Sequence, residues 1–294
     1  MCAHEHNPPG VSAIGFSSNG SYLATAGFDG RVCVWQMKDY RLLHEYRSTT
    51  PVCSLEWIRN GEDSIVIGYQ DGNIATLSLT ANILSLHGFH AHDYPVDCLA
   101  NHGKMIATAA QHEVRVWEWH PLGSSYTFLL ELCIGLADPP KSAESLSREV
   151  LVVNLHWTSW GGHPSVLLVS YQNHGIFMYE SVGWAMIHQL RCGDSIARSS
   201  LSPDGSSLAL YKLTAGIEVR LILDDSVKYS FPKRRAVSSL VPVLFVHGGH
   251  AIAVGSTKGE VEIWDVASAT HMQTLVHQGE YLACCTTTNM TPAS

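Results

Sequence analysis

VSAIGFSSNGSYLATAGFDGRVCVWQMKDYRLLHEY, residues 11–46, decides how the rest of the chain reads. Four short runs, VSAIGF, YLATAG, VCVW and LLHEY, are rich in apolar and β-branched residues. Small polar stretches separate them: SSNG after the first and FDG after the second. Asp-Gly between two apolar runs is a strong hairpin signal, because the glycine accepts the positive φ that such a turn demands. The stretch therefore reads as four antiparallel strands, a to d, joined by tight turns.

Five more segments repeat it. They open at Val52, Val96, Val152, Ile196 and Leu240, so successive starts, counted from Val11, lie 41, 44, 56, 44 and 44 residues apart. Five positions after each start stands a second large or apolar residue: Phe16, Trp57, Trp157, Leu201 and Phe245, with Asn101 the polar exception. A period in the low forties is the length of one four-stranded propeller blade. Turns like the first recur at Asp71-Gly72, His174-Gly175, Ala215-Gly216 and Lys258-Gly259. Strands a and b are nearly continuous apolar runs, as expected where neighbouring sheets cover both faces. The expected fold is all-β: a propeller of six four-stranded blades at 11–46, 52–89, 96–134, 152–191, 196–231 and 240–276, in a single domain. A further strand-like run at 281–287 reads as a partial seventh repeat. The sequence leaves two accounts open, a six-bladed ring closed on itself and a seven-bladed ring of which this chain is a truncated part.

FDGRVCVW (Phe28–Trp35) and KGEVEIWD (Lys258–Asp265) resemble the ends of WD repeats, and SPDG (Ser202–Gly205) resembles that family's a–b turn. Ala91-His92 to Ala100, LHW (Leu155–Trp157) and FVHGGHAI (Phe245–Ile252) are similar to WD-repeat proteins of mushroom-forming fungi. The resemblance implies a hydrogen-bonded set within a blade: a His before strand a, a Ser/Thr in strand b, an Asp in the b–c turn and a Trp ending strand c. In the first repeat His6, Thr25, Asp29 and Trp35 match it. The third offers His92, Thr108 and Trp117, but Gln111 stands where Asp is expected. Leu77, Tyr179 and Leu221 replace Trp elsewhere. Blade 1 is therefore expected to be the best pinned, the others depending on apolar packing.

The net charge of −8 works against general binding to nucleic acid. No apolar run is long enough to cross a membrane as a helix. Residues 1–10 lack the basic start and apolar core of a signal peptide. The eight cysteines form no CxxC pair and read as reduced thiols. The expected location is the cytoplasm, with the nucleus as the other candidate. GxxxxGK[ST], GxSxG and HExxH are absent from the sequence, and the reading is a non-enzyme without cofactor or metal. His4-Glu5-His6 and His90–Asp93 have the density of metal ligands but fall where the family uses histidine structurally.

By propeller topology the b–c turns and d–a connections share one rim, and candidate partner-binding residues lie there. They are Phe28, Gln70, Gln172, Thr214 and Thr257 beside the turns, and Lys233-Arg234-Arg235 between the fifth and sixth blades. The longest irregular segment, Gly135–Glu149, projects from the same rim. The expected function is a protein-interaction scaffold that binds other proteins or peptides and is monomeric unless the ring is incomplete. Two readings stand against it: an enzyme or ligand-binding propeller working through a central channel, and a part of a larger WD-repeat protein.

Overall fold

A computed structural model describes residues 10–58, 64–79, 84–121, 128–140, 148–231, 241–256 and 259–276. His6, Lys233, Arg234, Arg235, Thr257 and the run at 281–287 lie outside them. The strands form six four-stranded antiparallel sheets, the blades of a β-propeller. Their 24 strands are numbered β1 to β24 in chain order. The only helix among the described residues is the 3-10 turn His247–Gly249.

The chain divides into two compact units, meeting in sequence between Ala137 and Asp138. The first unit holds three blades. They are β1–β4 (Val11–Phe16, Tyr22–Gly27, Arg31–Gln36, Arg41–Arg47), β5–β8 (Val52–Trp57, Ser64–Tyr69, Asn73–Leu79, Leu84–His90) and β9–β12 (Cys98–His102, Met105–Ala110, Glu113–Pro121, Phe128–Leu136). The second holds β13–β16 (Val152–Trp160, His163–Tyr171, Gly175–Glu180, Met186–Leu190), β17–β20 (Ile196–Leu201, Ser207–Lys212, Gly216–Leu221, Val227–Phe231) and β21–β24 (Val243–Val246, Ala251–Gly255, Glu260–Asp265, His271–Val276).

Burial explains why strand b is mostly apolar. Every residue of β6 and of β18 is buried, since a blade on each side covers both faces. Strand d is the outer edge, and β24 has no buried residue. Ile58, Val66 and Ile74 of the second blade pack with Ile106, Trp117 and Leu130 of the third. Phe231 and Val219 do the same with Phe245 and Trp264 across the fifth and sixth. Polar ties run between inner strands: the Ser54 hydroxyl donates to Val96 O at 2.6 Å, and Trp57 Nε1 donates to Gly15 O at 2.9 Å.

Two strand boundaries differ from the sequence reading. SWGGHP reads as a turn, yet β13 and β14 extend through it and only Gly161-Gly162 turn, at φ +57 and +87. Positive φ at both central residues suits a two-residue hairpin, so the flanking Trp160 and His163 pair. In the sixth blade strand a begins at Val243 and not at Leu240; Leu240 itself lies outside the described residues.

Gly72 shows how b–c turns and d–a connections come together. The N–H groups of Ala91 and His92 donate to Gly72 O at 3.1 and 2.9 Å. A Cβ on Gly72, at φ +83, would stand 1.8 Å from His92 O. The expected result of Gly72→Ala is a loss of about 2 kcal/mol or more, from strained backbone plus a displaced loop. Chemical denaturation of the purified variant measures it.

Candidate functional site

Backbone hydrogen bonds place d–a connections on b–c turns in each unit. Ser48 N–H donates to Gly30 O at 2.8 Å, and Ile196 N–H to Gln172 O at 2.7 Å. The rim inferred from topology is therefore a surface whose turns hold one another.

The third blade carries a linked polar set at this rim. Trp117 Nε1 donates to Thr108 Oγ1 at 2.9 Å. Thr108 Oγ1 lies 2.6 Å from His92 Nε2, and His92 Nδ1 lies 2.9 Å from Glu113 Oε2. One tautomer satisfies all three contacts: the Thr108 hydroxyl donates to Nε2, and Nδ1–H donates to the carboxylate. Burial lowers the His92 pKa, opposed by the Glu113 hydrogen bond. Hydroxyl, imidazole and carboxylate in a row have the order of a nucleophilic triad. Here Thr108 and the His92 ring are wholly buried, and the hydroxyl already accepts the indole N–H, so no substrate reaches it. The set is a structural pin. It also commits both ring nitrogens of His92, one of the residues read as a possible metal ligand.

Glu113 is the residue that the sequence reading missed. The β10–β11 hairpin turns on Gln111 and His112 alone, with Gln111 at φ +52. Glutamate is one methylene longer than aspartate and reaches His92 from the first position of the strand. Blade 3 thus closes its set with a glutamate, while the set expected in blade 1 runs through His6, which lies outside the described residues. In blade 1 the structure brings Trp35 Nε1 to Thr25 Oγ1 at 3.3 Å, and Asp29 Oδ1 accepts from Arg31 N–H at 3.1 Å.

A second polar set, between the fourth and fifth blades, has no counterpart in the sequence reading. His156 Nε2 lies 2.9 Å from Ser199 Oγ, which lies 2.9 Å from Ser170 Oγ. Ser199 N–H donates to Asn154 Oδ1 at 2.9 Å. Burial pushes the His156 imidazole down to about 4.

The rim candidates separate into committed and open side chains. Thr214 donates to Asp194 through its hydroxyl and its N–H. Burial would raise the Asp194 carboxyl, but the hydrogen bonds from Thr214, Ser195 and Ala215 outweigh it and hold the pKa low. Gln172 is partly buried, with its backbone N–H on Leu151 O. Gln70 is exposed, and Phe28 is 42% exposed. In the same blade as Phe28, Glu45 Oε1 lies 3.4 Å from Arg31 Nε and 2.7 Å from Arg47 Nε. Further along the same unit, Tyr94 and His112 meet edge to face, with centroids 5.5 Å apart. Of the Gly135–Glu149 segment, residues 141–147 lie outside the described part; Arg148 Nη1 donates to Ser195 Oγ at 3.3 Å.

The family model for the WD domain, G-beta repeat, matches residues 2–36, the first blade. The first blade thus matches the WD-repeat family by sequence, within a fold of six four-stranded blades. Protein ROOT INITIATION DEFECTIVE 3 of Arabidopsis thaliana is 23% identical over 288 residues, covering 91% of this chain and 51% of the relative. The chain thus spans about half the length of that curated relative. WD-repeat propellers in general serve as platforms for protein–protein interaction.

Two outcomes are expected from these sets. Glu113→Ala leaves a buried imidazole N–H unpaired and costs about 1–3 kcal/mol, while Glu113→Gln retains an acceptor and costs less; denaturant titration separates them. For His156 the folded pKa lies below the ordinary 6.5. The fold therefore holds the neutral ring, and its contribution is intact above pH 6.5 and lost as pH falls toward 4. Unfolding midpoints across that window should fall, and His156→Gln should flatten part of the slope.

Proposed function

We propose that the chain is a non-catalytic scaffold that binds other proteins or peptides on the rim formed by its b–c turns and d–a connections. Phe28 carries the reading. It is a large apolar side chain left 42% exposed beside a tight turn. The turn is rigid: Gly30 N–H donates to Gly27 O at 3.0 Å, and a Cβ on Gly30 would stand 2.2 Å from Ser48 O. In the same blade, Arg31, Glu45 and Arg47 form a charged network on β3 and β4. An aromatic anchor of this kind is typical of an interface hot spot. Rigid turns spare a docking partner the entropy cost of ordering them.

Gln70 extends the proposed surface to the second blade of the same unit; Gln172 lies beside the equivalent turn of the second unit, and Lys233, Arg234, Arg235 and Thr257 are assigned to that unit's rim by sequence position. A cytoplasmic or nuclear setting fits the thiols of Cys33, Cys53, Cys133 and Cys192, none of which is in a disulfide. Burial raises the thiols of Cys33 to about 11 and of Cys53 and Cys192 to about 12, so these three are protonated packing residues.

Alanine replacement of Phe28, alone and together with Lys233–Arg235, tests the rim by affinity capture from lysate of the source organism. Recovery of bound partners should fall about tenfold, the loss of one anchor worth 1–2 kcal/mol, with no change in the unfolding midpoint. Undiminished recovery of every partner would place binding on another surface.

A further inference from the structure

The outer edge of the third blade differs from the other five. β12 is nine residues long, whereas β4, β8, β16, β20 and β24 have seven, seven, five, five and six. Its sequence, FLLELCIGL, has one charged residue and no proline or lysine. Leu129 and Leu132 are 45% and 49% exposed. Natural edges are usually shortened, charged or covered, because a bare strand edge recruits another strand. Among the described residues no strand pairs with the outer side of β12.

The register of such a partner follows from the pairing inside the blade. Trp119 N–H donates to Lys104 O at 2.9 Å, on the β10 side, so its backbone groups turn away from β12. Trp119 stands opposite Leu130, and Trp117 opposite Leu132. In an antiparallel ladder the backbone groups alternate in direction. Leu130 and Leu132 therefore point their N–H and C=O groups outward, as does position 128, while Leu129 and Glu131 bond inward to β11. Beyond Leu132 the bulge at Cys133 breaks the alternation.

We propose that β12 pairs antiparallel with β12 of a second copy of this chain, about a two-fold axis through Leu130. In that register Leu130 faces Leu130, position 128 faces Leu132, and Leu129 faces Glu131. The outward groups of one strand then meet the outward groups of the other, and no like charges are opposed. Centring on Leu129 would pair only residues 128–130 of the strand and leave Leu132 without a partner, centring on Glu131 would oppose two carboxylates, and centring on Leu132 would run into the bulge. The register centred on Leu130 thus pairs all of residues 128–132 without opposing like charges. Five paired residues bury less than the roughly 1,200 Å² typical of a stable interface, so the dimer is weak and forms with rising concentration.

Sedimentation equilibrium over a wide concentration range tests it, using the full chain and variants of the exposed Leu129. The wild type should shift from monomer toward dimer. Leu129→Glu sets a carboxylate opposite Glu131 twice per dimer and should weaken association about tenfold. Leu129→Lys removes the same apolar surface but sets an ammonium there, and should match or exceed the wild type. Equal unfolding midpoints confirm that both variants fold. A wild type that stays monomeric throughout, or Glu and Lys variants weakened alike, would overturn the proposal.

Discussion

A four-stranded blade has two apolar faces and can cover neither by itself. Every other feature of the molecule depends on that constraint. The fully buried β6 and β18 exist only because sheets lie on both sides of them. The cost of ordering each short strand is met by apolar area removed from water at the interfaces between blades. Clusters spanning the second and third blades, and the fifth and sixth, are where that area is found.

Apolar packing is non-directional, so it leaves the exact seating of one blade on the next underdetermined. Polar contacts supply direction. Ser54 to Val96 O and Trp57 to Gly15 O fix neighbouring inner strands in the first unit. The His156–Ser199–Ser170 set does so in the second. Buried polar groups stabilise only when satisfied, and each of these contacts closes with sound geometry. The same loops then serve the surface. His92 ties its loop to Gly72 by backbone and to Glu113 by side chain, so the residues beside it on the rim are held in place. Rigidity of this kind is what a docking surface requires.

Some of this was legible in the residues. Asp71-Gly72 announces a hairpin because a glycine at positive φ is a local requirement. Strand b is mostly apolar in every repeat because neighbouring blades cover it in each. Glu113 was not legible, since its role depends on a turn with no glycine and on a histidine 21 residues earlier. SWGGHP concealed an extended hairpin, because a serine and a tryptophan beside two glycines suit a loop and a strand end equally well. The His156 site joins residues 43 apart in neighbouring blades, and no local pattern marks it.

The sequence by itself determined the blade: its period, its four strands, its tight turns and its apolar inner runs. These are short-range chemistry, written within a few residues of where they act. Only the tertiary structure decided which side chains meet: Glu113 in place of an aspartate, Thr214 committed to Asp194, Phe28 left open, and the outward direction of Leu130 on β12. Those outcomes turn on register, and sliding a strand by one position reverses the facing of every side chain and backbone group along it.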